Sequence, residues 1–230
     1  MITYPSHLAF QRCSLRCSQA SHITHMLRLL AARRLAEKPI GLGMGIIWGL
    51  IFLMAFPIAA SAAVPAWQIV PSESHITFTA TQNGAPTTGE FKSFSGTINF
   101  DPTQLASSNV KIVVDMTSVS ASYGDVATTL MTPDWFDVKL FPQAIFTANK
   151  FTKTGDNTYQ ADGTLTIRDK TLPTVLTFTM QQYSATKALA KGTALLKRTQ
   201  FGVGRGDWAK TDTVKDDVKV DFTLSANKKA

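Results

Sequence analysis

The sequence predicts an all-β domain behind an N-terminal leader. Three observations carry this. Apolar residues recur at every second position from Trp67 onward. Turn-forming clusters separate these runs at short intervals. A long uncharged apolar run stands ahead of the whole pattern. Period two with Thr, Val, Ile and Phe enrichment is the mark of half-buried strands, because successive side chains of a strand point to opposite faces.

The strand runs are read in order. Ile76 and Phe78 alternate with His75, Thr77 and Thr79, and Phe94, Gly96, Ile98 and Phe100 alternate with Ser95, Thr97 and Asn99. Ile112 and Val114, then Leu165 and Ile167, then Leu176, Phe178 and Met180 continue the alternation. Val218, Val220, Phe222 and Leu224 end it. Pro71–Ser74, Asn83-Gly84, Asp101-Pro102, Gly155–Asn157 and Asp169-Lys170 supply turn chemistry between them. Tyr123–Met131 breaks the pattern, with Val126, Leu130 and Met131 at helical spacing, and is expected to be a short helix. No glycine- or proline-rich linker divides residues 67–227, so one domain is expected. Many antiparallel strands form a sandwich or a barrel, and a closed barrel removes exposed edges.

Ahead of this domain, Ile40–Ile58 is strongly apolar and follows Arg33, Arg34 and Lys38. Ala60-Ser61-Ala62 then offers a small-residue cleavage signal, which places the mature start near Ala63. The expected division is a leader over residues 1–62 and a β domain over 63–230. A retained membrane anchor is the rival reading, since the run is long enough to span and Gly41, Gly45 and Gly49 are spaced as in helix dimers. Met26 is an alternative start, giving a more ordinary leader than Met1.

Charge and cysteine follow the same division. The chain carries 23 basic and 16 acidic residues, a net of +7. Residues 1–62 hold six of the former and one of the latter, which leaves 17 and 15, or +2, for residues 63–230. The basicity belongs to the leader, and a nucleic-acid partner loses its support. Cys13 and Cys17 both precede the apolar run, so a cleaved protein has no thiol chemistry. His75 is the only histidine after residue 62, and there is no G-x-S-x-G or H-E-x-x-H motif. No catalytic group, metal site or cofactor is expected. Asp134, Asp137, Asp216 and Asp217 lack calcium-loop spacing and read as solvated loop acids.

The ordered set of motifs resembles the YceI-like family of bacterial periplasmic proteins over about Trp67 to Ala226. It runs from Trp67-x-Ile69 and Ser74-His75-Ile76-x-Phe78 to Gly89-x-Phe91-x-x-Phe94-x-Gly96-x-Ile98-x-Phe100-Asp101. Ser118-Val119, Leu130, Trp135-Phe136-Asp137, Phe141-Pro142 with Phe146, and Gly163-x-Leu165-Thr166-Ile167 follow. Arg198-x-x-Phe201-Gly202-Val203-Gly204 and a final strand through Val220 close it. One departure is Asp169, where the family often has glycine; Asp tolerates positive φ, so the turn is expected to survive.

The resemblance implies a lipocalin-like eight-stranded antiparallel barrel with one or two short helices. It also implies a periplasmic location and a long-chain isoprenoid lipid, polyprenyl or isoprenoid quinone, held inside. Phenylalanine has no polar atom, so a cavity lined with it suits a hydrocarbon, although each such ring also serves as plain core. The candidate ligand-binding residues are Phe78, Phe94, Phe100, Val114, Leu130, Phe136, Phe146, Leu165, Ile167, Phe178, Arg198 and Phe201. Arg198 is the first candidate for a headgroup contact at a wet mouth, with Arg205 and His75 behind it. Gly202-x-Gly204-x-Gly206 is either an anion-binding nest or a loop between strands. Two functions remain open: a carrier of isoprenoid lipid, or a filled barrel that docks a membrane partner such as a quinone-using cytochrome.

Overall fold

The computed structural model describes residues 63–230, so the expectations for the leader, the apolar run and Cys13 and Cys17 lie outside the described residues. Eleven β segments form one sheet. They are β1 (Ala66–Ile69), β2 (His75–Gln82), β3 (Ala85–Phe91), β4 (Phe94–Asn99), β5 (Asn109–Asp115) and β6 (Val119–Ala121), then β7 (Gln143–Lys153), β8 (Thr158–Ile167), β9 (Lys170–Tyr183), β10 (Lys187–Lys197) and β11 (Val214–Lys228). The one α-helix among the described residues, α1 (Gly124–Leu130), falls where helical spacing places it and is one residue shorter at each end.

Three pairs of segments are single strands bent in the middle. β1 and β2 both pair with β11; β3 and β4 pair with β2 and β1; β5 and β6 pair with β4 and β3. With β7 to β11 this makes eight antiparallel staves, and the pairing of Trp67 with Lys228 and Ile69 with Ala226 closes the barrel. Side chains build the bends. Pro71 has no N–H to give the ladder, and the buried Ser74 hydroxyl bridges the bend: it accepts from Ser225 N at 3.0 Å and donates to Val70 O at 2.8 Å. At the β5–β6 bend the Asp115 carboxylate accepts from Thr117 N at 2.9 Å, and Ser118 Oγ donates to Asp115 O at 2.6 Å.

The β5–β6 bend shapes one end of the barrel. β7 begins at Gln143, opposite Asp115, so β6 pairs with β3 and has no β7 neighbour. The gap is filled by residues 122–142, which contain α1, and Met116 N pins the far end of this segment by donating to Pro142 O at 2.9 Å.

The hairpin turns obey backbone sterics with one surprise. Asn83 and Gly84 both have positive φ, 50° and 79°, as a two-residue turn matched to strand twist requires. In the β8–β9 hairpin Arg168, not Asp169, carries the positive φ, 56°. Arg168 accepts that backbone because its side chain is fixed elsewhere, as described below.

The core has two apolar clusters. The lower holds Trp67, Phe100, Phe146, Tyr159 and Phe178; the upper holds Phe78, Phe91, Leu130, Trp135 and Phe201. Ile98, Val110, Leu165 and Phe222 pack against both and form a waist between them.

Candidate functional site: two apolar chambers in the barrel

Each cluster surrounds a cavity. The lower chamber has a volume of about 100 Å³ and the upper about 150 Å³. Apolar cavities of this size in proteins stay dry and accept small apolar guests.

Of the sequence-derived candidates, Phe100, Phe146 and Phe178 line the lower chamber. Phe78, Val114, Leu130 and Phe136 line the upper, as do Leu165, Ile167, Arg198 and Phe201. Phe94 packs against the upper cluster but lines neither chamber. Ile98, four residues on in the same strand, lines the lower chamber.

Phe151 and Phe222 below and Phe91 above also line the chambers; sequence reading counts them among the available rings without making them candidates, and it misses Trp67 below and Trp135 above. It also missed the small residues that leave room for the cavities. Ala188 and Ala190 of β10 line the lower chamber, and Gly192 follows on the same face. A Cβ on Gly192 would lie 2.4 Å from Phe222 Cζ and 2.5 Å from Thr177 O, so only glycine lets the Phe222 ring lie flat against the wall.

The two ends of the barrel close differently. Below, Phe100 meets Phe151, Tyr159 and Phe178 edge to face at 5.4–5.7 Å. Trp67 is 2% exposed, and its Nε1–H donates to Phe100 O at 2.9 Å. Above, two irregular segments, 122–142 and 198–213, cover the chamber. Gly204 N and Arg205 N both donate to Asp134 O, at 2.8 and 2.7 Å, and Trp135 packs on Trp208 at 5.5 Å.

Buried arginines hold these segments. The Arg198 guanidinium is not at a wet mouth: the residue is 4% exposed and donates to six carbonyls, those of Val203, Gly204, Trp208, Lys210, Val214 and Lys215. Its planar fork is suited to gathering many acceptors, and every N–H is engaged. Arg198 also stacks over the Trp135 ring at 5.7 Å. Arg168 donates through Nη1 to Pro133 O and Trp135 O, faces Asp137 at 3.7 Å and lies over the Phe141 ring at 5.4 Å. Burial lowers the pKa of both arginines; the neighbouring positive charge of Arg205 adds to this at Arg168. Asp137 is therefore no solvated loop acid: it is buried as the counter-charge of Arg168.

The other headgroup candidates lie outside the chambers. His75 alternates with inward-facing Ile76, so it is exposed on the outer wall and meets Glu90 at 3.1 Å. Arg205 is half-exposed and donates to Gly202 O at 3.1 Å. The glycine run is the loop alternative. Gly202, Gly204 and Gly206 all have positive φ, and the Gly204 and Arg205 amides that a nest would offer an anion are taken by Asp134. Among the described residues, no group of three His, Cys, Asp or Glu side chains is placed to hold a metal ion.

Comparison with known proteins agrees with this architecture. The family model for the YceI-like domain matches residues 67–226. A UPF0312 protein of Vibrio vulnificus strain YJ016 is 31% identical over 126 residues, which cover 54% of this chain and 67% of that relative. The crystal structure of Burkholderia cenocepacia BcnA superposes with a TM-score of 0.65 at 31% identity, covering 68% of this chain and 98% of that one. A domain from Saccharophagus degradans described as polyisoprenoid-binding superposes with a TM-score of 0.58 over 72% of this chain and 99% of its own; at 17% identity this likeness shows the fold alone.

Proposed function

The chain belongs to the YceI-like family, and we propose that it is an exported carrier that encloses an isoprenoid lipid within its barrel. The observation that carries this reading is the lining of the two chambers, which is apolar from end to end apart from the saturated Arg198. The barrel shares its fold with the Saccharophagus degradans domain described as polyisoprenoid-binding. A ligand longer than either chamber occupies both, and the waist side chains Ile98, Val110, Leu165 and Phe222 rotate to let it through.

Binding of this kind is exchange with a membrane. Burying each methylene is worth about 0.8 kcal/mol, and ordering the flexible chain offsets part of that. A bilayer offers the same burial, so the protein competes with it on nearly equal terms and gives up its cargo as readily as it takes it. The leader, with its apolar run 40–58 and Ala60-Ser61-Ala62, directs the domain to the periplasm, where such carriage is needed. The role proposed is binding, without catalysis.

The test is organic-solvent extraction of residues 63–230 purified from the periplasm, followed by mass spectrometry. An isoprenoid chain is expected in the extract, and added polyprenyl lipid is expected to raise the melting temperature of the stripped protein. An empty extract with no shift on addition overturns the carrier and favours a filled barrel that docks a membrane partner.

A further inference from the structure

A third cavity adjoins the upper chamber. It has a volume of about 150 Å³ and lies between α1, the β2–β3 hairpin and Trp208. Phe78, Ala80, Leu130, Trp135 and Val214 line both cavities, so these side chains form a shared partition. Beyond that partition the lining turns polar, with Gln82 and Thr87 near the hairpin tip and Asp125 and Thr129 on α1. The cavity thus grades from apolar at the chamber to polar at exposed Asp125.

The walls of this cavity are held unequally. Trp135 is fixed: its carbonyl accepts from Arg168, and its ring lies 5.5 Å from Trp208 and 5.7 Å from Arg198. Ala80 and Val214 belong to the paired strands β2 and β11. α1 has no such anchorage. β6, which leads to it, ends the sheet and has no strand on its far side. Ser122 N donates to Thr88 O at 3.2 Å before the helix, and Phe136 N donates to Leu130 O at 2.9 Å at its end. Among the described residues, the hydrogen bonds of 123–129 all stay within the segment 122–142. α1 rests on the barrel through the packing of Val126 and Leu130. An element with so few buried apolar contacts is among the first to open.

Resting on the carrier reading, we propose that the cavity beneath α1 is the passage by which cargo enters and leaves the upper chamber. α1 is its moving leaf, carrying Leu130 away from the partition, and Trp135 is its fixed post. A chain crosses by displacing one aliphatic side chain, and the Arg198 clamp stays closed. Such a passage sets rates and leaves affinity alone, because a barrier raised for entry is raised equally for exit.

The test uses residues 63–230 purified from the periplasm and stripped of lipid, with tritiated geranylgeraniol in phosphatidylcholine vesicles as the probe. Uptake from loaded vesicles and return to an excess of empty ones are timed by separating vesicles from protein. Thr87→Phe puts a ring into the cavity at a position that does not line the chamber. Uptake and return are expected to slow by the same factor, at least about fivefold, with the final partition within about twofold of wild type. Val126→Ala weakens the seat of α1, again outside the chamber lining. It is expected to speed both steps by about twofold or more. Thr164→Phe adds the same ring to the exposed outer wall of β8, outside the cavity, and is expected to change neither rate.

Unchanged rates in Thr87→Phe and Val126→Ala overturn the passage, as does equal slowing by Thr164→Phe. An altered partition without a common change in both rates also overturns it, and makes the cavity part of the binding wall. No uptake by wild type removes the carrier reading, and the passage with it; that result is distinguishable because no rate is then observed. The two variants alter opposite walls, so either one decides if the other does not fold.

Discussion

The two ends of the barrel are closed by different physics. The lower end is sealed by aromatic rings on regular strands, with Phe100 at the centre of three edge-to-face contacts. The upper end is sealed by two stretches without regular strands, tied to each other and to the wall by guanidinium–carbonyl bonds and by Asp134 O. The burial of apolar ring surface is non-directional and is lost gradually, whereas a carbonyl clamp holds one geometry and fails together when its hub moves. The lower end thus behaves as a floor. The upper end is hung on Arg198, and the proposed cargo is expected to enter there.

The largest test of this contrast is Arg198→Ala. Removing the hub leaves six carbonyls without their donor, and the expected loss of stability is about 3–5 kcal/mol by urea denaturation. Hydrogen exchange should show the damage to be one-sided. The amides of Gly204, Arg205 and Trp208 are expected to lose protection, while the β1–β11 pairing below keeps its own. Arg198→Lys should recover little, because an ammonium has no planar fork to span so many acceptors. Uniform loss of protection at both ends would mean the barrel opens as one unit.

A smaller effect probes the waist. Gly192→Ala places a methyl against Phe222 and the Thr177 carbonyl at distances real Cβ atoms do not show, so Phe222 and the β9 backbone must give way. The expected penalty is about 1–3 kcal/mol in melting experiments, the range for overpacking. The waist should narrow at the same time. Long isoprenoids would then stabilise the variant less than wild type, while a one-ring guest such as benzene, small enough for one chamber, stabilises both alike. Equal stabilisation of both proteins by a long chain would show that it never crosses the waist.

What the sequence revealed follows from what has a period. Ile76 and Phe78, or Leu176 and Phe178, announce an inward face because the larger side chain is the buried one. β10 inverts this: Ala194 is 5% exposed and Leu195 is 68% exposed, so size alone assigns the wrong face. The cavity exists because that inner face is small, and a reading that looks for large residues cannot find it. Pro71–Ser74 was legible as a turn, but the parts played by Ser74 and Asp115 were not, since they act through backbone groups that the fold brings to them. Arg198 fails for the same reason. Its acceptors lie 5 to 17 residues away on a loop and on β11, and nothing in the local sequence shows them. The cost of exposed edges favours a closed barrel, but the eight-stranded lipocalin-like form comes from the family resemblance, because alternation specifies strands and leaves their order open.

The smallest effect tests whether the upper end is acid-sensitive. Asp216 sits on β11 beside the hub, and its carboxylate accepts from Thr199 N at 3.0 Å and Thr199 Oγ1 at 2.7 Å, fixing the turn that follows Arg198. Burial pushes its pKa up, but the two Thr199 bonds and the charges of Lys197 and Arg198 outweigh this and hold it below the ordinary aspartate value. A depressed folded-state pKa means stability that is fully present above the unfolded value of about 4 and lost as pH falls through the folded one. Asp216→Asn keeps an acceptor and removes the charge, so the expected cost at pH 7 is at most about 1 kcal/mol. Thermal melts of wild type and variant should differ at pH 7, and the gap should shrink as pH falls below the ordinary aspartate value of about 4 and the wild-type carboxyl loses its charge. At the floor, Glu73 is also held low, by hydrogen bonds from Lys187 and then Ser225, so acid weakens both ends of wild type. Only the contribution of the upper end should shrink in the difference. A gap between wild type and Asp216→Asn that stays constant from pH 7 down to the acid unfolding of the barrel would show that Asp216 acts through its shape, and that its charge has no part in keeping the upper end closed.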